Sequence, residues 1–295
     1  MSSHSKKSES PVSKLRVAVL MACHNRKYQS IQCLESLYAA KPSNWDLKIY
    51  LVDDGSTDGT SDAVQRFDPA IQIIKGNGSW YWAHSMYQAE MSINTPFDAI
   101  MWLNDDIKLN LDFLTRINSE CKSNPNSIFI GQFQSSTTND LTYGGYAKYD
   151  RHPFHFKQLH AQDELMTADT FNGNLVFISC TASKIVGPID GEFAHSYADM
   201  DYGLRAKRLG VEMFIIPGFA GTCDNHPERD SKSLADALNL LLSTKYSPLK
   251  SQIRFLKRHG SFDWPIYLIT PFIRIVSESV FSLQPIFSRK SRHRS

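Results

Sequence analysis

Two acidic runs in this 295-residue chain have the composition of a site for phosphate and a hard cation. The first, Asp53-Asp54-Gly55-Ser56-Thr57-Asp58-Gly59, stops the β-branched run LKIYLV at 47–52. A carboxylate at a strand's end accepts hydrogen bonds from N–H or hydroxyl groups, and the glycine after it lets the chain turn sharply enough to expose it. That arrangement suits a nucleoside; the competing reading is a turn in which Asp, Ser and Gly satisfy only backbone groups. The second run, Asn104-Asp105-Asp106, follows the apolar AIMWL and sets two carboxylates side by side. Mg²⁺ and Mn²⁺ take oxygen ligands, often one or two carboxylates plus substrate phosphates, and adjacent acids repel each other without a cation. The expectation is a metal–diphosphate site, against the alternative of a solvated loop.

These runs need a frame that brings them together. Apolar LRVAVLM at 15–21 ends in Cys-His-Asn-Arg, and a helix is expected around 28–38. Strand 47–52 precedes a helical stretch through Asp62, Val64 and Phe67; strand 71–74 precedes a helix over 85–92; strand 99–103 ends at the acidic pair. Repeated strand-then-helix units predict an α/β domain with a largely parallel sheet, whose ligands bind beyond the carboxyl ends of the strands. His24-Asn25, Asp53-Asp54 and Asp105-Asp106 all fall there. No G-x-G-x-x-G follows the first strand and no G-x-x-x-x-G-K-[ST] occurs, which removes the dinucleotide and P-loop fingerprints. Short alternating runs over 128–180 predict antiparallel strands and loops. A helix from Asp199 is expected to end at Gly210, with the strand VEMFII running to Pro217 and helical pattern beyond Asp230.

With 42% hydrophobic and 21% charged residues, the composition is that of a folded globular chain. Five scattered cysteines without a C-x-x-C pair predict a reducing compartment, and the Ser- and Lys-rich leader lacks the apolar core of a signal peptide. From Lys245 onward, ten Lys/Arg face Asp263 and Glu278, a balance of +8 that leaves −6 on residues 1–244. An acidic body argues against bulk nucleic-acid binding. The expected location is cytoplasmic; a basic tail on an acidic body suits peripheral contact with an anionic membrane at the inner face of the cell membrane, with a merely solvated end as the alternative. The apolar segment 264–287 contains Pro265, Pro271, Arg274, Glu278 and Pro285 and is a poor candidate to span a bilayer.

Taken in order, VAVLMACHNR (17–26), VDDGSTDGT (52–60), LNDDI (103–107), GNLVFIS (173–179) and ADMDYGLRA (198–206) resemble the signatures of glycosyltransferase family 2, in its rhamnosyltransferase-like nucleotide-sugar branch. The resemblance runs from about residue 15 to 228. It implies a GT-A fold: a mostly parallel Rossmann-like sheet flanked by helices, a small antiparallel acceptor-side portion and a helical C-terminal extension. It also implies a nucleotide-diphosphate-sugar donor, Mn²⁺ or Mg²⁺, and inverting transfer to a hydroxyl of a glycan or lipid-linked acceptor.

Carried over by position, Asp54 resembles the carboxylate that meets the nucleobase, with Asp53 beside it; Asp106 resembles the metal-binding Asp, with Asp105 on its ribose or metal side. Asp199 takes the place of the catalytic Asp, while Asn104 and Ala198 depart from the family's D-x-D and Glu-Asp patterns. His226 lies where some relatives place a metal-binding His, and His24 and Asn25 lie in the loop that approaches the nucleotide. Trp82, after Asn77-Gly78, offers a ring to a sugar or base, with a core role as the alternative. An acceptor hydroxyl is a weak nucleophile, so a carboxylate, Asp199, must take its proton; a first-turn Asp favoured by the helix dipole is the competing reading. Asp201, two residues on, is expected to face another way, with Arg205 as an ion-pair partner.

The expected organisation is a leader at 1–14, a GT-A domain at 15–228 divided at 107/108 into donor and acceptor halves, a helical extension at 229–287 and a basic tail at 288–295. A non-catalytic nucleotide-sugar or glycan-binding protein on the same fold is the alternative. A nucleotidyltransferase is disfavoured, because its glycine-rich basic phosphate loop is missing after the first strand.

Overall fold

Alternating burial explains why the first strand forms where it does. In β1 (Leu15–Cys23), Val17, Val19 and Met21 pack into one core and Ala18 and Leu20 into another, so the strand is covered on both faces. The computed structural model describes residues 14–193, 196–224 and 249–269.

After β1 come α1 (Lys27–Ala40), β2 (Trp45–Asp53), α2 (Thr60–Phe67), β3 (Gln72–Lys75), α3 (Tyr81–Met91) and β4 (Ala99–Leu103). Next come β5 (Lys108–Leu109), α4 (Phe113–Ser123), β6 (Ile128–Gln134), β7 (Leu141–Tyr143), β8 (Gly145–Lys148), β9 (Phe156–Gln158), β10 (Met166–Thr167), β11 (Thr170–Phe171) and β12 (Leu175–Ser179). Then follow α5 (Cys180–Val186), α6 (Ala198–Arg208), β13 (Met213–Thr222) and, in the extension, α7 (Leu249–His259).

The large sheet runs β10-β13-β6-β12-β4-β1-β2-β3. Strands β3, β2, β1 and β4 are parallel; β12 enters antiparallel to both β4 and β6, and β13 lies parallel to β6. The chain therefore reverses its direction of travel across the sheet between β1 and β4, which opens a crevice at their carboxyl ends. A second sheet, β11-β8-β9, is antiparallel. Helix α1 covers one face with Ser30, Cys33, Leu34, Leu37 and Ala40, the i, i+3, i+4 spacing of a helical stripe.

Two elements differ from expectation. Helix α3 starts at Tyr81, not Ser85, because its first amides find a distant carboxylate, described below. Pro217 does not end the last strand: β13 continues to Thr222 through two register shifts between Ile215 and Gly221. A proline has no amide for the ladder, so the strand bulges there and resumes, with Gly218 donating to the Ala161 carbonyl at 3.0 Å.

Helix α7 is fastened to α6 by charge. Asp201, fully buried, accepts from Arg205 Nε at 2.9 Å, from Arg258 Nη1 at 2.7 and 2.8 Å and from His259 Nε2 at 2.8 Å. Arg258 and Arg254 also reach Asp190 at 2.7 Å. The Phe255 ring, buried, lies 5.2 Å from that of Tyr197, the residue that leads into α6. All five cysteines are unpaired thiols. Among the described residues no helix is long and apolar enough to cross a membrane; tail residues 288–295 lie outside the described residues.

Candidate active site

The loops after β1, β2 and β3 are stitched to one another by side chains. Asn25, with φ +52°, accepts from the Thr57 amide at 2.8 Å, and its own amide donates to Ser56 Oγ at 2.8 Å. His24 Nδ1 sits 2.6 Å from the Asp54 carbonyl oxygen. Both His24 and Asn25 are exposed. Asp53 is buried and braces the turn, accepting from the Ser56 amide at 2.9 Å, from Ser61, and from Lys75 Nζ at 3.2 Å. Burial pushes its carboxyl up, but the hydrogen bonds from Ser56, Ser61 and Lys75 outweigh this and hold it below the ordinary value.

Asp54 explains the early start of α3. Its Oδ2 accepts from the amides of Trp80 and Tyr81 at 2.9 and 3.0 Å, and its Oδ1 from Gly78 at 2.8 Å. Two orphan donors of the helix and the Gly78 amide just before it are thus satisfied by a side chain 24 to 27 residues earlier. Oδ1 takes a single bond, which leaves it one acceptor position. Gly55 makes the approach of the two loops possible: it has φ +72°, and a Cβ there would stand 2.8 Å from the Gly78 nitrogen. Asn77 is exposed and closes its own turn by accepting from Ser79 N and Oγ at 3.0 and 2.7 Å.

The acidic pair after β4 carries a resident cation. Arg26 Nη1 donates to Asp105 Oδ1 at 2.9 Å and to Asp106 Oδ2 at 2.7 Å. Asp105 is 5% exposed, with Ser30 Oγ 3.3 Å from its other oxygen. Burial pushes the Asp105 carboxyl up to about 6, with Arg26 opposing and Asp106 adding to the rise. Asp106 is the more open at 22%, and its Oδ1 faces the Cys223 thiol at 3.7 Å. Burial raises the thiol's pKa, so it stays protonated.

Trp82 joins this pair to Asp199. Its indole N–H donates to Asn104 Oδ1 at 2.8 Å, and its ring packs edge-on to Trp102 at 5.9 Å. On its other side the ring lies against Gly173, where a Cβ would stand 2.5 Å from Trp82 Cη2 and 3.4 Å from Asp199 Cβ. The Gly173 amide donates to Asp199 Oδ2 at 3.0 Å, and the Met200 amide to Oδ1 at 2.8 Å. A second path runs from Asp106 through Cys223 to Asn174, whose amide nitrogen lies 3.4 Å from Sγ and whose carbonyl accepts from the Asn104 amide at 2.9 Å.

Asp199 is half-buried in the first turn of α6, and loss of solvent raises its pKa against the hydrogen bonds from Gly173 and Met200. Asp201, Arg205 and Arg208 lie on the other face of the same helix. Arg205 and Arg208 line a cavity of about 640 Å³ together with His84, Tyr87 and Arg258; neither the acidic pair nor Asp199 lines it, and its Arg205 and Arg258 already have carboxylate partners.

Contacts thereby join Asp105, Asp106, Trp82 and Asp199, while His24, Asn25, Asp53, Asp54 and Asn77 lie in the stitched loops that follow β1, β2 and β3 at the carboxyl edge of the same parallel strands. His226 lies outside the described residues. Arg26, Ser30, Gly173, Asn174 and Cys223 also take part in these contacts, although the sequence assigned none of them a role. Arg26 closes the CHNR run and Gly173-Asn174 open the GNLVFIS run, so those three carried a visible signal.

A metal fits the donor set in a limited way. Among the described residues no group of three or more His, Cys, Asp or Glu is placed to hold an ion. Asp106, partly open and offering carboxylate oxygen, suits Mg²⁺ or Mn²⁺ when phosphate oxygens complete the shell.

The decisive comparison is at the level of sequence: the pattern of Glycosyl transferase family 2 matches residues 18–181, more than half of the chain. The chain belongs to glycosyltransferase family 2. Its fold is that of GT-A glycosyltransferases. TarS from S. aureus superposes with a TM-score of 0.57 at 16% identity over 91% of this chain and 50% of that one, so the chain spans half the length of TarS. TarS 1–349 in complex with UDP gives 0.57 at 15% identity, over 91% of this chain and 83% of that one. Mannosyltransferase PcManGT from Pyrobaculum calidifontis, in complex with GDP-Man and Mn²⁺, gives 0.53 at 14%, over 94% and 74%. No curated protein matches this family 2 sequence significantly.

Proposed function

We propose that this family 2 chain is an inverting glycosyltransferase that moves a hexosyl or deoxyhexosyl group from a nucleotide-diphosphate-sugar to a hydroxyl of a glycan or lipid-linked acceptor, in the assembly of a cell-surface polysaccharide. The observation that supports this reading is Trp82, which contacts Asn104 beside the acidic pair on one side and Gly173, the partner of Asp199, on the other.

Each residue then has a chemical part. Asp199 takes the proton of the acceptor hydroxyl as its oxygen bonds to the anomeric carbon, and the bond from that carbon to the diphosphate oxygen breaks. Its raised pKa makes it a stronger base than a free carboxylate. Asp54 has an acceptor position left for a nucleobase N–H, and Asp105 flanks the ribose. Asp106 would hold Mn²⁺ or Mg²⁺, with His226 as a candidate second ligand; such an ion, when bound, stabilises charge developing on the leaving diphosphate. The exposed face of Trp82 lies between donor and acceptor sides. The UDP and the GDP-Man with Mn²⁺ in the two structural relatives support a nucleotide-sugar and a divalent ion as the ligands to try.

Calorimetry and product mass spectrometry with a panel of UDP-, GDP- and dTDP-sugars, with and without Mn²⁺, tests the reading. One donor is expected to bind in an Mn²⁺-dependent way and to be consumed, and Asp106→Ala is expected to remove both the metal dependence and the transfer. Tight metal-independent donor binding by Asp106→Ala would defeat the metal role. Binding without consumption of any donor, across glycan and lipid-linked acceptors, would favour a binding protein instead.

A further inference from the structure

Arg26 is chemically out of proportion to a helix-cap position. It stands at the N-terminal boundary of α1, makes no side-chain cap, and instead sends one nitrogen to both carboxylates of the acidic pair, at 2.9 and 2.7 Å. Among the described residues, the pair's other side-chain partners are Ser30 on Asp105 and Cys223 on Asp106, so the cation that meets both carboxylates is the Arg26 guanidinium. It is about one-third exposed, so it is free to leave on the solvent side.

We propose that Arg26 is a resident counter-cation which makes binding of a divalent ion at Asp106 conditional on the donor's diphosphate. The inference rests on the metal–diphosphate reading given above. An ion approaching Asp106 meets a guanidinium already on that carboxylate, and the two cations repel across a partly desolvated gap. A nucleoside diphosphate changes the balance twice: its phosphate oxygens complete the ion's shell, and they offer the guanidinium a fork-matched anionic partner in exchange for the carboxylates. Arg26 thus moves from carboxylate to diphosphate as the ion takes its place. Metal alone is held weakly, and metal with nucleotide tightly. Arg26 positions the donor through this exchange and takes no part in proton transfer.

Electron paramagnetic resonance of Mn²⁺ reports this without any turnover. With the full chain, the wild type is expected to bind Mn²⁺ alone weakly and Mn²⁺ with UDP or GDP tightly. Arg26→Gln should bind Mn²⁺ alone about tenfold more tightly, because a repelling charge is gone, while losing affinity for the nucleotide in the presence of Mn²⁺. Arg26→Lys, which keeps the charge without the fork, should retain weak binding of Mn²⁺ alone. Unchanged or weaker binding of Mn²⁺ alone by Arg26→Gln would overturn the proposal. If that variant does not fold, the wild type still decides: equal Mn²⁺ affinity with and without either nucleotide overturns the exchange. No Mn²⁺ binding to the wild type even with nucleotide overturns the underlying metal reading, and this inference with it.

Discussion

Asp199→Asn is expected to lower kcat by about 10²- to 10⁴-fold, the range one general base contributes, while donor affinity stays at the wild-type level. The substitution keeps the side chain's shape and leaves one oxygen to accept from the Gly173 or the Met200 amide, while the other amide faces an NH₂ that cannot accept. What disappears is the ability to accept the acceptor's proton. The pH profile carries a second signature. Desolvation raises the Asp199 pKa, and a base works only when ionised, so wild-type kcat rises with pH through that raised value. In Asp199→Asn that limb is absent. Steady-state kinetics with the consumed donor from pH 4 to 9 measure both; an unchanged kcat, or the same limb in the variant, would assign the base elsewhere.

The second large effect is on stability. Asp201→Ala removes the shared partner of Arg205, Arg258 and His259 beneath α6 and leaves three polar groups facing a vacated space. Breaking a buried pair by deleting one partner costs about 3–5 kcal/mol, and the partial exposure of Arg258, 28%, places this case near the lower end. Urea denaturation of wild type and variant reads the difference.

The pH dependence has a definite sign. Burial raises the Asp201 carboxyl, but His259, Arg205 and Arg258 more than reverse this, so its folded-state pKa lies below the ordinary value. Its contribution is present above the unfolded pKa, near 3.9, and is lost as pH falls through the lower folded value. His259 is held below its ordinary value by burial, so the unfolded chain takes up its proton first and stability also declines as pH falls past about 6.5. The acid-side loss from Asp201 should be missing in Asp201→Ala. A variant as stable as wild type at pH 7 would show that α7 is not held to the domain by this cluster.

The parallel half of the fold was legible because each of its strands is a short apolar or β-branched run ended by polar residues and followed by a helical stretch. The start of α3 was not legible: its cap comes from Asp54, and nothing in the helix's own sequence encodes it. Pro217 misled for a similar reason, since a bulge tolerates proline only where a parallel neighbour, β6, resumes the pairing beyond it. The candidate acids were found because carboxylates at strand ends are visible as residue types. The partners that give them their chemistry were hidden by distance: Arg26 lies 79 and 80 residues from the acids it holds, and Cys223 lies 117 residues from Asp106. Trp82 offered both a stacking ring and a core residue, and its place explains the ambiguity, for the ring packs edge-on to buried Trp102 and is itself only partly buried.

Crystals of the chain grown with Mn²⁺ and UDP or GDP, with data collected at the manganese edge, would locate the ion and the diphosphate together. The account predicts one anomalous peak bonded to an Asp106 carboxylate oxygen, the diphosphate beside it, and the terminal phosphate turned toward Asp199 across the face of Trp82. A manganese ion bound away from Asp106, or a diphosphate seated with Asp199 behind it, would contradict the claim that these acids form one transfer site.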